Sequence, residues 1–192
     1  MRFAPVCDNF DDQPLFEVDG HKFILNSLTE QVPATSPQLL QLAAEWISGE
    51  ITNECDKLLT EEDKGGILLA AIALQTGIPF GMVRWVPNQL ATQVSEIFSC
   101  EYVKEGTLYL SGIEKNDRVI IIDDIISTGG TMVGIIKTLK KIEAEIIDVL
   151  VLAEKIEYNG IKKVKNETDI DVRSLIKISV AGTRSKVLNA IY

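Results

Sequence analysis

Several absences narrow the reading of this chain before any motif is considered. Its 192 residues hold one histidine, His21, and three cysteines, Cys7, Cys55 and Cys100, at wide and irregular spacing. An odd, scattered set of thiols makes no disulfide framework and suits a reducing cytoplasm. With a lone imidazole and no ligand-like spacing, a zinc site is not expected. No apolar run reaches eighteen residues, so a transmembrane helix is not expected either. Met1-Arg2-Phe3-Ala4-Pro5 lacks the apolar stretch of a signal peptide. Positive charge is scarce: 19 Lys and Arg against 28 Asp and Glu give a net charge of −9. That balance speaks against a broad nucleic-acid surface. It leaves room for a small anionic substrate, because a few local donors and a divalent cation outweigh a distant, salt-screened surface.

What remains is 46% hydrophobic and long enough for one sizeable core. Asp19-Gly20 between Phe16–Val18 and Lys22–Leu25 predicts a hairpin. Ser36-Pro37 predicts a helix start, with Leu39, Leu40, Ala43, Ala44 and Ile47 on one face and an end near Gly49. An alternating pattern follows. Strands are expected at Cys55–Leu59, Phe80–Trp85, Val119–Ile122, Ile146–Leu152 and Val172–Val180, with helices at Ile67–Thr76 and Gly130–Ile142. Leu68, Ala71, Ile72 and Leu74 are the expected inner face of the first of these helices, and 156–168 holds a further short one. Residues 86–100 lack a pattern and are expected to be a long loop, a usual place for a functional lid. A second hairpin is expected around Glu105-Gly106. Strand–helix alternation implies an α/β fold: a central, mostly parallel sheet flanked by helices, with right-handed crossovers. We expect a division into an N-terminal hairpin and helix at 1–50 and a core at 51–192.

The chemistry concentrates in VIIIDDIISTGGT, residues 119–131. Four apolar residues run into Asp123 and Asp124, at the carboxyl end of a strand, where open α/β sheets bind ligands. The five residues after Ile126 are all small. Gly129 and Gly130 let backbone approach an anion, and Ser127, Thr128 and Thr131 add hydroxyl donors. The helix behind them aims its N–H groups and positive dipole end into the same loop. No lysine precedes the hydroxyl, so this is not a nucleotide P-loop. Two carboxylates would repel the phosphate itself but suit ribose hydroxyls or Mg²⁺ beside it. Loop and aspartates together specify a sugar phosphate.

This stretch resembles the phosphoribosyl-pyrophosphate motif of type I phosphoribosyltransferases across its thirteen positions, Val119 to Thr131, including Ile125 and Ile126. The resemblance implies that family's fold, with a small N-terminal hood. It implies that Asp123 and Asp124 hold the ribose hydroxyls, with an indirect relation to a Mg²⁺ ion carried mainly by substrate, and that 127–131 holds the 5′-phosphate. Glu62-Asp63-Lys64-Gly65 is similar to the pyrophosphate-binding stretch of adenine phosphoribosyltransferases, with lysine in place of arginine. Arg84 resembles an arginine that contacts pyrophosphate, and Glu101-Tyr102 resembles a Glu-Tyr pair whose glutamate lies near the base and leaving group. Lys155 stands about where 6-oxopurine enzymes use a lysine against the base oxygen. Two departures stand out. The lid lacks the basic residues of adenine-type enzymes, with no Lys or Arg from 85 to 103. Ser127 replaces the aspartate that hypoxanthine-guanine enzymes of the human type carry there, and serine is no base near pH 7 without activation. The stretches 20–33 and 37–40 resemble the hood of archaeal purine phosphoribosyltransferase-like proteins.

The expected activity is therefore that of a cytoplasmic, dimeric purine phosphoribosyltransferase in purine salvage. Phosphoribosyl pyrophosphate and a purine base are its substrates, hypoxanthine or guanine first and adenine next, with Mg²⁺ as cofactor and no membrane or nucleic-acid partner. The alternative is a non-catalytic regulator that senses phosphoribosyl pyrophosphate.

Overall fold

The computed structural model describes residues 2–51, 54–88, 94–101 and 103–191. The chain opens with a short helix α1 (Ala4–Asp8), the hairpin β1 (Leu15–Val18) and β2 (His21–Ile24), and helix α2 (Pro37–Glu50). Asp19 and Gly20 both adopt positive φ, as a two-residue hairpin turn with the right twist requires. The Ser36 hydroxyl accepts the Leu39 N–H at 3.2 Å, so the expected cap is formed.

There follow β3 (Lys57–Glu61), α3 (Gly65–Thr76), β4 (Phe80–Arg84), β5 (Ser95–Cys100), β6 (Val103–Ser111), β7 (Arg118–Ile126), α4 (Gly130–Lys141), β8 (Glu145–Lys155), a 3-10 turn at Ile156–Tyr158, α5 (Gly160–Thr168), β9 (Arg173–Ser179) and β10 (Lys186–Ala190). One eight-stranded sheet runs in the order β10-β9-β8-β7-β3-β4-β6-β5. Strands β4, β3, β7, β8 and β9 are mutually parallel, and antiparallel strands flank them on both sides. The fold is thus the α/β sheet that the alternation implies. From β3 the chain moves to one side, through β4. From β7 it moves to the other, through β8 and β9. The strand order therefore reverses between β3 and β7, and a crevice opens at their carboxyl ends.

Both faces of the sheet are covered, which explains the unbroken apolar run in β7. Ile120 and Ile122 pack with Leu58, Leu150 and Ile72 on one face; Val119 and Ile121 pack with Leu59, Val149 and Ile135 on the other. Val6, Phe10 and Trp46 of the N-terminal segment join the first of these clusters.

The structure corrects several boundaries. The first core strand starts at Lys57, not Cys55, because the Asp56 carboxylate turns aside to accept the Arg118 N–H at 2.8 Å and pair with its guanidinium. The 86–100 segment is not all loop: Ser95–Cys100 is the edge strand β5. Only Phe98 on it is buried, too little for a sequence pattern. The second hairpin is not centred on Glu105-Gly106: Cys100 already pairs with Val103. Gly106 lies inside β6 opposite Phe98, whose ring fills the space a side chain would need. Strand β10 was not expected; its short, mostly exposed sequence carries no signal. Leu74 does not face inward. It is 88% exposed, and Leu69 takes its place in the core.

That last correction is measurable. Leu69→Ala should cost about 3 kcal/mol of unfolding free energy, whereas Leu74→Ala should change it by under about 0.5 kcal/mol, with an unchanged urea m-value in both. Equal costs would contradict the placement.

Candidate active site

Strand β7 outlasts its apolar run and carries Asp123 and Asp124 to the crevice while still in the sheet, Asp123 opposite Val151. Both are buried. The Asp123 carboxylate accepts the Asp124 N–H at 3.0 Å, and the Asp124 carboxylate accepts the Ile125 N–H at 2.7 Å. These bonds leave Asp124 Oδ2 without a hydrogen-bond partner among the described residues, as are Ser127 Oγ and Thr60 Oγ1. Such groups are costly unless something else satisfies them.

Burial pushes the Asp123 carboxyl well above the usual carboxylate range, with the Asp124 and Glu61 charges adding to the effect. Burial likewise raises Asp124 to about 6; the Ile125 N–H and the Lys64 charge oppose the rise. Anions crowd this spot, and it favours whatever supplies protons or positive charge.

The loop after β7 ends at Gly129, whose φ of +77° places it in the left-handed region. A Cβ there would meet the Gly160 carbonyl oxygen at 2.6 Å. At Gly130 a Cβ would lie 1.6 Å from the Ser99 carbonyl oxygen, so β5 rests directly on the first turn of α4. The small residues therefore serve packing as well as anion access. Gly65 does the same across the crevice: its absent side chain would strike Thr60 Oγ1 at 2.1 Å and Asp123 Oδ1 at 2.8 Å.

A single cavity gathers Asp123, Asp124, Ile125, Ile126, Ser127, Thr128, Gly129, Gly130, Thr131, Lys64, Glu101 and Lys155. Glu62, Asp63, Gly65 and Arg84, also expected at the site, are not among the residues that line it. Arg84 Nη1 donates to Glu62 at 2.8 Å, and the Trp85 N–H donates to the same carboxylate at 3.0 Å. Lys64 Nζ pairs with Glu30 and lies 5.2 Å from the centre of the Phe23 ring. Burial works to lower its pKa, but Glu30, Asp124 and Asp63 outweigh this and raise it.

Lys155 is not a solvated lysine. Its side chain is 4% exposed and pairs with Glu101, 6% exposed, at 3.1 Å. Nζ also donates to the Lys22 carbonyl oxygen at 2.9 Å and lies 4.7 Å from the Phe23 ring centre. Burial lowers its pKa, and Glu101 restores part of the loss.

Sequence reasoning missed four lining residues of consequence. Phe23, Thr29 and Glu30 come from the N-terminal segment, and Glu61 from the end of β3. The Glu61 carboxylate accepts the Lys64 N–H at 2.9 Å and the Trp85 indole N–H at 2.8 Å. Its place at a strand's carboxyl end was the one available signal; the hood residues had none.

Residues 34–186 match the phosphoribosyl transferase domain family. Over 184 residues the chain is 32% identical to the hypoxanthine/guanine phosphoribosyltransferase of Methanothermobacter thermautotrophicus, covering 94% of this chain and 92% of that one. It is 36% identical over 176 residues to the protein of the same name from Methanotorris igneus, covering 91% and 94%. Among solved structures, adenine phosphoribosyltransferase from Thermoanaerobacter pseudethanolicus aligns with a TM-score of 0.76 at 23% identity, covering 91% of this chain and 99% of that one. The Giardia lamblia enzyme complexed with 9-deazaadenine aligns with a TM-score of 0.76 at 22% identity, covering 92% and 98%. These two show a shared fold.

The raised Asp124 carboxyl has a consequence for stability. A carboxyl that holds its proton more tightly when folded favours the folded state below its unfolded pKa, and this contribution is lost as pH rises through the folded value. Between pH 4 and about 6, wild-type stability should therefore fall relative to Asp124→Asn, leaving the variant the more stable at pH 7 by on the order of 2 kcal/mol. Melting temperatures of both proteins across that range check it; a constant difference would contradict it.

Proposed function

The chain belongs to the phosphoribosyltransferase family, and we propose that it transfers phosphoribosyl from phosphoribosyl pyrophosphate to a 6-oxopurine base, giving a nucleotide and pyrophosphate. The observation that carries this reading is one cavity in which two buried carboxylates adjoin an anion-binding loop at a helix N-terminus. Asp123 and Asp124 would take the ribose hydroxyls, satisfying the orphaned Asp124 Oδ2. Ser127 Oγ and the amides of 127–131 would take the 5′-phosphate.

The Lys155–Glu101 pair supports the choice of base. It sets a cationic donor beside a carboxylate acceptor, 3.1 Å apart and almost fully buried. A 6-oxopurine offers the complement, the O6 acceptor beside the N1–H donor. Adenine offers the reverse, an amino donor beside an unprotonated N1. With position 6 of the base toward Lys155 and N1 toward Glu101, adenine would set donor against donor and acceptor against acceptor, so the pair disfavours it in that pose. The relatives named hypoxanthine/guanine phosphoribosyltransferase agree with this preference. Phe23, between Lys64 and Lys155, is placed to lie against a base.

Catalysis would rest on positioning and charge stabilisation. The base nitrogen attacks C1 of the ribose as pyrophosphate leaves, while the lid expected at 86–100 and the hood expected at 1–50 would keep out water that would hydrolyse the activated sugar. The residues present fit Mg²⁺ carried by substrate. No group of three carboxylate, thiol or imidazole side chains among the described residues could hold a metal, but the open Asp124 oxygen could meet a substrate-borne ion. Such an ion would supply charge neutralisation on the leaving pyrophosphate. No helix among the described residues is long and apolar enough to cross a membrane; a cytoplasmic homodimer is part of the same proposal.

With phosphoribosyl pyrophosphate and Mg²⁺, nucleotide should form from hypoxanthine or guanine faster than from adenine. Replacing both aspartates with alanine should reduce turnover about a thousandfold or more; activity within about tenfold of wild type would sink the assignment. Lys155→Met should lower kcat/KM for hypoxanthine about a hundredfold and for adenine far less. An equal loss for both bases would remove Lys155 from base selection.

A further inference from the structure

The two anion-binding parts of the cavity differ in a way that the activity alone does not call for. In the loop at 127–131, the Ser127 hydroxyl lacks a partner among the described residues. By contrast, Lys64 in the cavity and Arg84 beyond its lining, which the family resemblance relates to pyrophosphate, already hold carboxylates. Glu30 pairs with Lys64 Nζ. Glu61 accepts the Lys64 backbone N–H at 2.9 Å. Glu62 accepts from Arg84 at 2.8 Å. Three acids thus face two cations, and an incoming pyrophosphate must compete with them for the same protons.

We propose that Glu30, Glu61 and Glu62 act as resident anions on the pyrophosphate-facing donors. This site then holds a nucleoside 5′-monophosphate in preference to any ligand bearing a pyrophosphate arm, and admits that arm only by displacing Glu30 from Lys64. The inference rests on the reading of the site given above. Glu30 is the movable member. It lies between β2 and α2, 34 residues from Lys64 in sequence, and its side chain is 21% exposed. Glu61 is held instead by the Trp85 indole as well as by Lys64. Glu62 is held by the Trp85 N–H and donates its own N–H to the Val83 carbonyl oxygen. Freeing Lys64 therefore requires the Glu30 side chain to swing off it, which ties entry of the pyrophosphate arm to a residue of the N-terminal segment. The same segment touches the base pair of charges through the Lys22 carbonyl oxygen on Lys155.

The test is calorimetric binding of three probes, each with Mg²⁺: inosine 5′-monophosphate, inorganic pyrophosphate and phosphoribosyl pyrophosphate. Wild type should bind the monophosphate tighter than pyrophosphate. Glu30→Gln should tighten pyrophosphate and phosphoribosyl pyrophosphate by about tenfold, as release of a partly buried ion pair allows, and the monophosphate by less than about twofold. Glu62→Gln should move the same two ligands in the same direction by less, because Arg84 is more exposed; it also decides the matter should Glu30→Gln lose the monophosphate by misfolding. Equal tightening of all three ligands would mean that the glutamates act only as general negative charge, and would overturn the proposal. So would a wild type that binds pyrophosphate as tightly as the monophosphate. Failure of wild type to bind the monophosphate at all would instead bring down the reading of the site itself, and this inference with it.

Discussion

Two adjacent carboxylates buried at the end of a fully buried strand are the constraint around which this molecule is arranged. Ionised side chains in such a place are costly, and the cost falls only if protons, cations or hydroxyl donors come to them. The neighbourhood answers in part. Backbone N–H groups reach both aspartates, and Lys64 stands close enough to offset part of the rise at Asp124. Glu61 pulls the other way. The remaining deficit, visible as an unpaired Asp124 oxygen, is what a ribose diol or a substrate-borne cation would fill. Binding energy is thus stored in the cleft as unmet electrostatic demand.

The sheet makes this arrangement affordable. Because the strand order reverses between β3 and β7, the chain leaves the two strands in opposite directions and their carboxyl ends border one crevice. β7 supplies the aspartates and leads into the small-residue loop, and β3 supplies Glu61 and the turn to Lys64. Close backbone approaches at Gly65 and Gly130 then fix the crevice walls relative to each other. Any side chain at either position would push apart the elements that must converge.

The half of the candidate site proposed to take sugar and phosphate was legible in sequence, because a contiguous stretch builds it: strand, carboxylates, small-residue loop and helix follow one another within residues 119–131. The parallel sheet was legible for the same reason, since each strand–helix unit is local. The rest was not, because its parts meet from far apart. Glu101 and Lys155 are 54 positions apart and form a buried pair. Glu30 reaches Lys64 across 34 positions from a segment without regular structure of its own. The edge strand β5 has a single buried side chain and leaves no periodic trace. Lys155 shows the limit most clearly: the family resemblance singled it out in sequence, but only the tertiary structure buries it against Phe23 and Glu101.

The lid's lack of basic residues gains a physical setting beside the carboxylates on Lys64 and Arg84. These two cations are already neutralised by carboxylates, whereas the side proposed for ribose and phosphate keeps Asp124 Oδ2 and Ser127 Oγ without partners among the described residues. The central claim is that asymmetry of placement: phosphate on 127–131, ribose on the aspartates, base at Lys155 and Glu101. A crystal structure of the protein with inosine 5′-monophosphate tests it most directly. The account predicts phosphate oxygens within hydrogen-bond distance of Ser127 Oγ and the 127–131 amides, ribose hydroxyls on Asp123 and Asp124, and O6 on Lys155. A phosphate seated instead at Lys64 and Arg84, with the aspartates untouched, would contradict it.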